Sequence, residues 1–305
     1  MNSGKKIVRP LIDLDNPKWL GTLLTAPTLL LVLGFLLFPF LYALGLSLMN
    51  FNLSNPAANA FIGLRNYIKL FSDSYFLSSV ARTVLFSVLS VLFEVTLGIT
   101  FALVLDRKFA LQGFMRGLII LPWALPTVVN AIMWKWIYNA EYGALNALLT
   151  QLGILSEYKV WLADPVWAMA LVIFANVWKE TPFIVLMALA ALQGIPTTLY
   201  EAGRVDGASP WQTLWKITLP LLKPVIMVAA LLEVIWSFQT FDLVYVITSG
   251  GPFNSTELVA YRLYLQTFKF FNFGYGSAMA YLVTLILLIP AFFYIRSAYR
   301  NIVEY

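Results

Sequence analysis

The chain has 305 residues, of which 60% are apolar and only 11% charged, and its mean hydropathy is +0.79. A soluble globular domain is about 45–50% apolar and about 25% charged, so soluble and disordered classes are excluded. There is no His and no Cys, which removes imidazole catalysis, imidazole proton relays, disulfides and thiolate metal sites.

The net charge of +5 comes with no long basic run and no G-x-x-x-x-G-K-[ST] phosphate loop. Gly274-x-Gly276 has Met279 where a dinucleotide fingerprint needs Gly or Ala. The chain is expected to bind no nucleic acid, no cofactor of its own and no metal.

A helical span needs about 20 predominantly apolar residues, and six stretches qualify. Residues 1–19 precede them and carry Lys5, Lys6, Arg9 and Lys18. The first span, 20–49, holds no charge over thirty residues. It exceeds the roughly 7–15-residue core of a signal peptide and reads as an uncleaved anchor. The second, 83–105, is apolar except for Glu94. A short basic segment, 106–116, leads to the third span at 117–134. Residues 135–166 are rich in aromatics, and Trp134, Trp136, Tyr138, Tyr142 and Trp161 suit an interfacial belt.

The fourth span, 167–192, contains Lys179 and Glu180. Asn176, Lys179, Glu180 and Phe183 stand at i, i+3, i+4 and i+7 and share one helix face. The loop 193–223 then reads as two short helices. Pro196 lies near the start of the first, and Thr198 with Glu201 has capping-box spacing. Gly207 stands where that helix ends, because Gly takes the left-handed conformation freely. Ser209 is the N-cap of the second helix and Pro210 its first residue. Trp211, Leu214, Trp215 and Leu219 form its apolar face, and Pro220 and Pro224 break it before the next span. From pattern alone this capped pair either docks on a partner or lies on the lipid surface.

The fifth span, 225–247, holds Glu233 and Asp242. Along it Trp236, Gln239 and Thr240 share a face, Ser237 adjoins them, and Asp242 is three residues beyond Gln239. The sixth span is 277–295, and residues 296–305 form a tail. Six spans place both termini on one side. Twelve basic residues fall on that side and seven on the other, so the positive-inside rule puts the termini in the cytoplasm. One membrane domain, 20–295, fits the pattern.

Glu201-Ala202-Gly203, Asp206-Gly207-Ala208 and Ile217-x-Leu219-Pro220 together resemble the signature loop of binding-protein-dependent ABC importer permeases. The family pattern is E-A-A, a Gly four residues later, nine residues, then I-x-L-P. Gly203 replaces the second Ala, and its weak helix propensity suggests that the first helix ends early. Asn176-Val177-Trp178-Lys179-x-x-Pro182-Phe183 and Leu192-Gln193-x-Ile195-Pro196 resemble the fourth-span pattern of the carbohydrate branch. Thr248-x-Gly250-Gly251-Pro252 resembles the outer loop of maltose-type first permeases.

The resemblance implies an all-α, six-helix ABC importer type I permease in a bacterial or archaeal inner membrane. It would work with a second, homologous permease, two ATPase subunits that carry ATP and Mg, and an extracytoplasmic sugar-binding protein. Glu201 and Gly207 would define the coupling loop, with Ala202, Gly203, Asp206, Ala208, Ile217, Leu219 and Pro220 shaping it. Gly250, Gly251 and Pro252 would meet the binding protein. Asn176, Lys179, Glu180, Phe183, Trp236, Ser237, Gln239, Thr240 and Asp242 would line the sugar path. The alternative is a stand-alone ion-coupled transporter using Glu94, Glu233 or Asp242, since acids inside spans serve such relays.

Overall fold

The computed structural model describes residues 17–303, with side chains placed over 20–296. The basic side chains of Lys5, Lys6, Arg9, Lys18 and Arg300, which the terminal segments contribute to the charge count, lie outside the described ones. The chain begins with α1 (Pro17–Leu31), which runs through a π-helical turn at Val32–Leu37 into α2 (Phe38–Ser47). A two-residue antiparallel ribbon follows, β1 (Met49–Asn50) with β2 (Ala60–Phe61). After it come α3 (Arg65–Ser72) and α4 (Ser74–Leu105). Next are α5 (Gln112–Ala124), α6 (Thr127–Ile137), α7 (Ala144–Gln151) and α8 (Pro165–Gln193). The loop helices are α9 (Thr197–Val205) and α10 (Pro210–Thr213). The last are α11 (Leu219–Phe238), α12 (Asp242–Ile247), α13 (Val259–Tyr264) and α14 (Phe273–Val303).

Among the described residues five helices are long and apolar enough to cross a membrane, and the bent pair α5–α6 brings the number to six when it is counted as one broken span. The caps follow from the sequence. Asp73 accepts from the N–H groups of Tyr75 and Phe76 at the start of α4. Asp164 does the same for Val166 and Trp167 at the start of α8, with Pro165 in the first position.

α8 is the centre of the bundle, with fifteen buried residues. Residues 20–47, by contrast, bury only Ser47. Small groups let the helices approach, as expected where lipid removes most of the hydrophobic drive. A Cβ on Gly98 of α4 would come within 2.5 Å of Ile184 in α8. Three apolar clusters define the two ends. Leu105, Leu192 and Leu222 share one, so α4 and α8 finish where α11 begins. Leu70, Phe76, Phe238 and Val259 share another at the opposite end. Phe86, Met169, Leu243 and Leu258 belong to the third.

Four expectations need correction. The third span is two helices meeting at 95°. Leu125 precedes Pro126, is pushed out of the helical region to ψ 136°, and ends α5 there. The fifth span stops at Phe238 rather than continuing to residue 247, and Asp242 starts a separate helix. Thr240, just beyond the stop, turns its hydroxyl back to the Trp236 carbonyl, a local bond that competes with helix continuation.

Pro220 and Pro224 do not break the loop helix from the span: residues Pro210–Phe238 form one 29-residue helix. The turn Leu214–Thr218 is π-helical, with the Leu219 N–H donating to the Leu214 carbonyl. The N–H that Pro220 lacks falls where the register changes back. Finally, Tyr138 and Trp161 are core residues rather than belt residues. Both are buried, and Trp161 Nε1 donates to Asn146 at 2.7 Å.

Candidate functional site

A cavity of about 230 Å³ opens between α6, α8, α11 and α12. Asn176 and Glu180 line it from α8, and Glu233, Trp236 and Ser237 from α11. Gln239, Thr240 and Phe241 line it from the break, Asp242 and Leu243 from α12, and Thr127 from α6. Seven of the nine residues expected along the sugar path therefore meet in one cavity.

Lys179 and Phe183 do not line it. Lys179 Nζ turns to its own neighbour, 2.7 Å from Glu180 Oε1, instead of to an acid on another helix. Phe183 backs the wall, packed edge-on against Trp236 with ring centroids 4.9 Å apart. Asp242 reaches the cavity because the chain breaks after Phe238, not through helical spacing from Gln239.

The acids without an expected partner take definite places. Asn176 Nδ2 donates to Glu94 Oε1 at 2.9 Å across the α4–α8 contact, while Glu94 Oε2 has no partner. Glu233 is 1% exposed and its Oε1 is also unpartnered. Glu233 lies within electrostatic reach of Glu94, Glu180 and Lys179, and Glu94 within that of Glu180. Glu233 and Thr127 were not expected in the cavity. The signal for Glu233 is its register, three residues before Trp236 and four before Ser237. Ser237 Oγ donates to Ser87 Oγ at 2.6 Å and ties α11 to α4.

The arrangement offers carboxyl, amide and hydroxyl groups beside aromatic rings. It suits holding hydroxyl groups and contains no nucleophile–base pair. Among the described residues no three His, Cys, Asp or Glu side chains are grouped to hold a metal ion.

At the end where α4 and α8 finish, the loop helices α9 and α10 stand out from the bundle. Ser209 Oγ accepts from the Gln212 N–H, and Gln212 Oε1 accepts from the Ser209 N–H, a full capping box. No such box forms at Thr198 and Glu201, because α9 starts directly behind Pro196. Gly207 has φ +74° and turns the chain. Gly203 does not end α9 early, which runs on to Val205. A Cβ there would lie 3.0 Å from Ile217 Cδ1, so the glycine lets α9 pack on the following helix. Glu201, Ala202, Asp206 and Gly207 are exposed, as are Val205, Trp211 and Trp215. Val205 is 87% exposed, an apolar residue that the sequence pattern does not single out.

The opposite end carries the Gly250–Pro252 turn. A Cβ on Gly250, at φ +82°, would lie 2.9 Å from the Tyr261 ring. Thr256 bonds Thr248 at 2.7 Å and donates to the Gly251 carbonyl at 2.8 Å. The turn thus projects Phe253, 91% exposed, at its tip. Glu257 beneath it faces Arg262 at 3.4 Å. Burial lifts the Glu257 carboxyl above the ordinary value, against the attraction of Arg262 and Arg82. Burial also pushes Asp73 up, but the Tyr275 hydroxyl, the Phe76 and Tyr75 N–H groups and Arg262 outweigh it and hold that carboxyl low.

Residues 94–303 match the family described as binding-protein-dependent transport system inner membrane component. The chain belongs to that family. It is a multi-pass, non-catalytic membrane component of an ABC importer, with ATP hydrolysis on a separate chain. This removes the alternative of a stand-alone ion-coupled transporter.

The chain is similar to the trehalose/maltose transport system permease protein MalF of Thermococcus litoralis, at 39% identity over 91% of this chain and 92% of that protein. It is similar to the lactose transport system permease protein LacF of Rhizobium radiobacter, at 34% identity over 89% and 91%. Its fold resembles that of a chain from a bacterial ABC transporter involved in import of the acidic polysaccharide alginate. That match has a TM-score of 0.79 at 24% identity and covers 93% of this permease and 96% of the other chain.

Proposed function

We propose that the substrate of this importer is a carbohydrate and that it passes through the cavity between α8 and α11. The observation that carries the proposal is the meeting of Asn176, Glu180, Trp236, Ser237, Gln239, Thr240 and Asp242 around one space of about 230 Å³ between α6, α8, α11 and α12. Carboxyl and amide groups accept from sugar hydroxyls, and the Trp236 ring offers a surface to the C–H face of a sugar ring. The names of similar permeases, which include trehalose, maltose and lactose, support the substrate class.

In this reading the loop 193–223 faces the cytoplasm and docks on the ATPase. Glu201, Asp206, Val205, Trp211 and Trp215 are its contact groups, and Gly207 shapes the turn. A second permease and two ATPase copies complete the assembly, and ATP with Mg binds on the ATPase. The Gly250–Pro252 turn and Phe253 meet the binding protein on the outer side. ATP binding then shifts a two-state equilibrium between inward- and outward-open arrangements, with the loop as the mechanical link.

The test is uptake of radiolabelled sugars by cells expressing the importer with Glu180→Ala or Gln239→Ala, with assembly checked by co-purification of the ATPase. Loss of uptake with assembly intact is expected. Normal uptake by both variants would remove the cavity from the path.

A further inference from the structure

We infer that the cavity selects uncharged saccharides and turns away sugar acids and sugar phosphates; this rests on the sugar path proposed above. Glu180, Glu233 and Asp242 bring three carboxyl groups to its wall. Among the described residues no Lys or Arg lines it. The cation beside it, Lys179, is buried and already held 2.7 Å from Glu180. A negatively charged substituent would therefore meet acids and no free cation.

The second observation is the state of Glu233. It is 1% exposed, lines the cavity, and its Oε1 accepts no hydrogen bond. That oxygen has no accessible surface, so no ligand reaches it, and the wall at this point holds an acid rather than a cation. A saccharide hydroxyl brings no charge to such a wall. A carboxylate or phosphate supplies only acceptors and must shed its hydration shell without a counter-charge. Gln239, Ser237 and Thr240 add neutral groups that serve hydroxyls. The missing cation is the element that works against the wrong class.

The test is equilibrium dialysis on the detergent-purified assembly of this chain with its second permease and ATPase, without binding protein, so that upstream selection does not enter. The probes are radiolabelled maltose and trehalose, and their charged counterparts maltobionate and trehalose 6-phosphate. An uncharged probe is expected to bind at least about tenfold more tightly than its anionic counterpart. Gln239→Lys, at the exposed rim, places a free cation in the cavity and should narrow that ratio by about tenfold. Glu233→Gln keeps the shape, removes one acid, and should narrow it in the same direction.

Equal binding of both classes, or a ratio unmoved by both variants, overturns the selectivity while leaving the sugar path standing. Binding of no probe at all overturns the path and the selectivity with it.

Discussion

Asn176→Leu removes the single hydrogen bond that Glu94 accepts. Asn176 Nδ2 lies 2.9 Å from Glu94 Oε1, the two residues are 6% and 0% exposed, and Oε2 is already unpartnered. Both oxygens would then be buried between α4 and α8 with no hydrogen-bond donor. Stranding a buried acceptor costs about 1–3 kcal/mol. Interhelical bonds inside membranes average about 0.6 kcal/mol and reach about 1.7, because the unfolded chain in the membrane also finds partners. The expected loss is therefore about 1–2 kcal/mol.

Glu94→Leu alone strands the Asn176 amide instead. The double variant replaces both ends with apolar groups and should be less destabilised than the sum of the singles by about 1 kcal/mol. Reversible unfolding in mixed micelles, followed by tryptophan fluorescence, measures all four chains. Additivity within about 0.5 kcal/mol would refute the reasoning and show that Glu94 is satisfied by another group.

Three further outcomes are expected. Gly207→Ala forces a side chain into φ +74° at about 1–2 kcal/mol, so co-purification of the ATPase should fall, and undiminished recovery counts against a docking role for that turn. Phe253→Ala should raise the binding-protein concentration needed for half-maximal ATPase stimulation by about tenfold, the scale of a lost aromatic anchor; no change would exclude Phe253 from the contact.

The Glu257 carboxyl is lifted by burial, so the folded loop binds more protons than the unfolded chain just above the ordinary carboxyl value. Its contribution to stability is present below that value and is lost as pH rises through the raised one. Hydrogen exchange around residues 249–257, corrected for intrinsic rates, should show the loop opening more as pH rises. Glu257→Gln should flatten that dependence, and an unchanged slope in the variant would assign it to another group.

The spans were legible because uninterrupted apolar runs near 20 residues have few other uses. The cap of the second loop helix and the turn before it were legible because Ser209, Pro210 and Gly207 each have a narrow backbone preference, whereas the Thr198–Glu201 spacing pointed to a box that does not form. The bend in the third span was less so. Leu125-Pro126 carries the signal, but the composition on both sides is equally apolar, and hydropathy does not record a change of direction. The same blindness joined residues 239–242 to the fifth span. A smooth helical count there grouped Asp242 with Gln239 by spacing that the chain does not follow, although the break delivers Asp242 to the same cavity. The Glu94–Asn176 bond spans 82 positions and exists only once α4 lies on α8. Glu233 was visible as an acid in an apolar run, but its place at the wall follows from which face of α11 turns inward.

The fusion of α10 to α11 sets a mechanical ratio. Trp211 at the exposed loop end and Trp236 at the cavity are 25 residues apart on one helix of 29, or about 37 Å at 1.5 Å per residue. The register change at Leu214–Thr218 is the only departure from regular helix among the residues between them. A rod of that length has little play: tilting it about a pivot near its middle displaces both tips by comparable distances in opposite directions. It also fixes phase. One residue added or removed between the two tryptophans turns one end against the other by about 100°. That would turn either the exposed loop face or the cavity face away from its present direction, so the length of this segment matters as much as the residues at its ends.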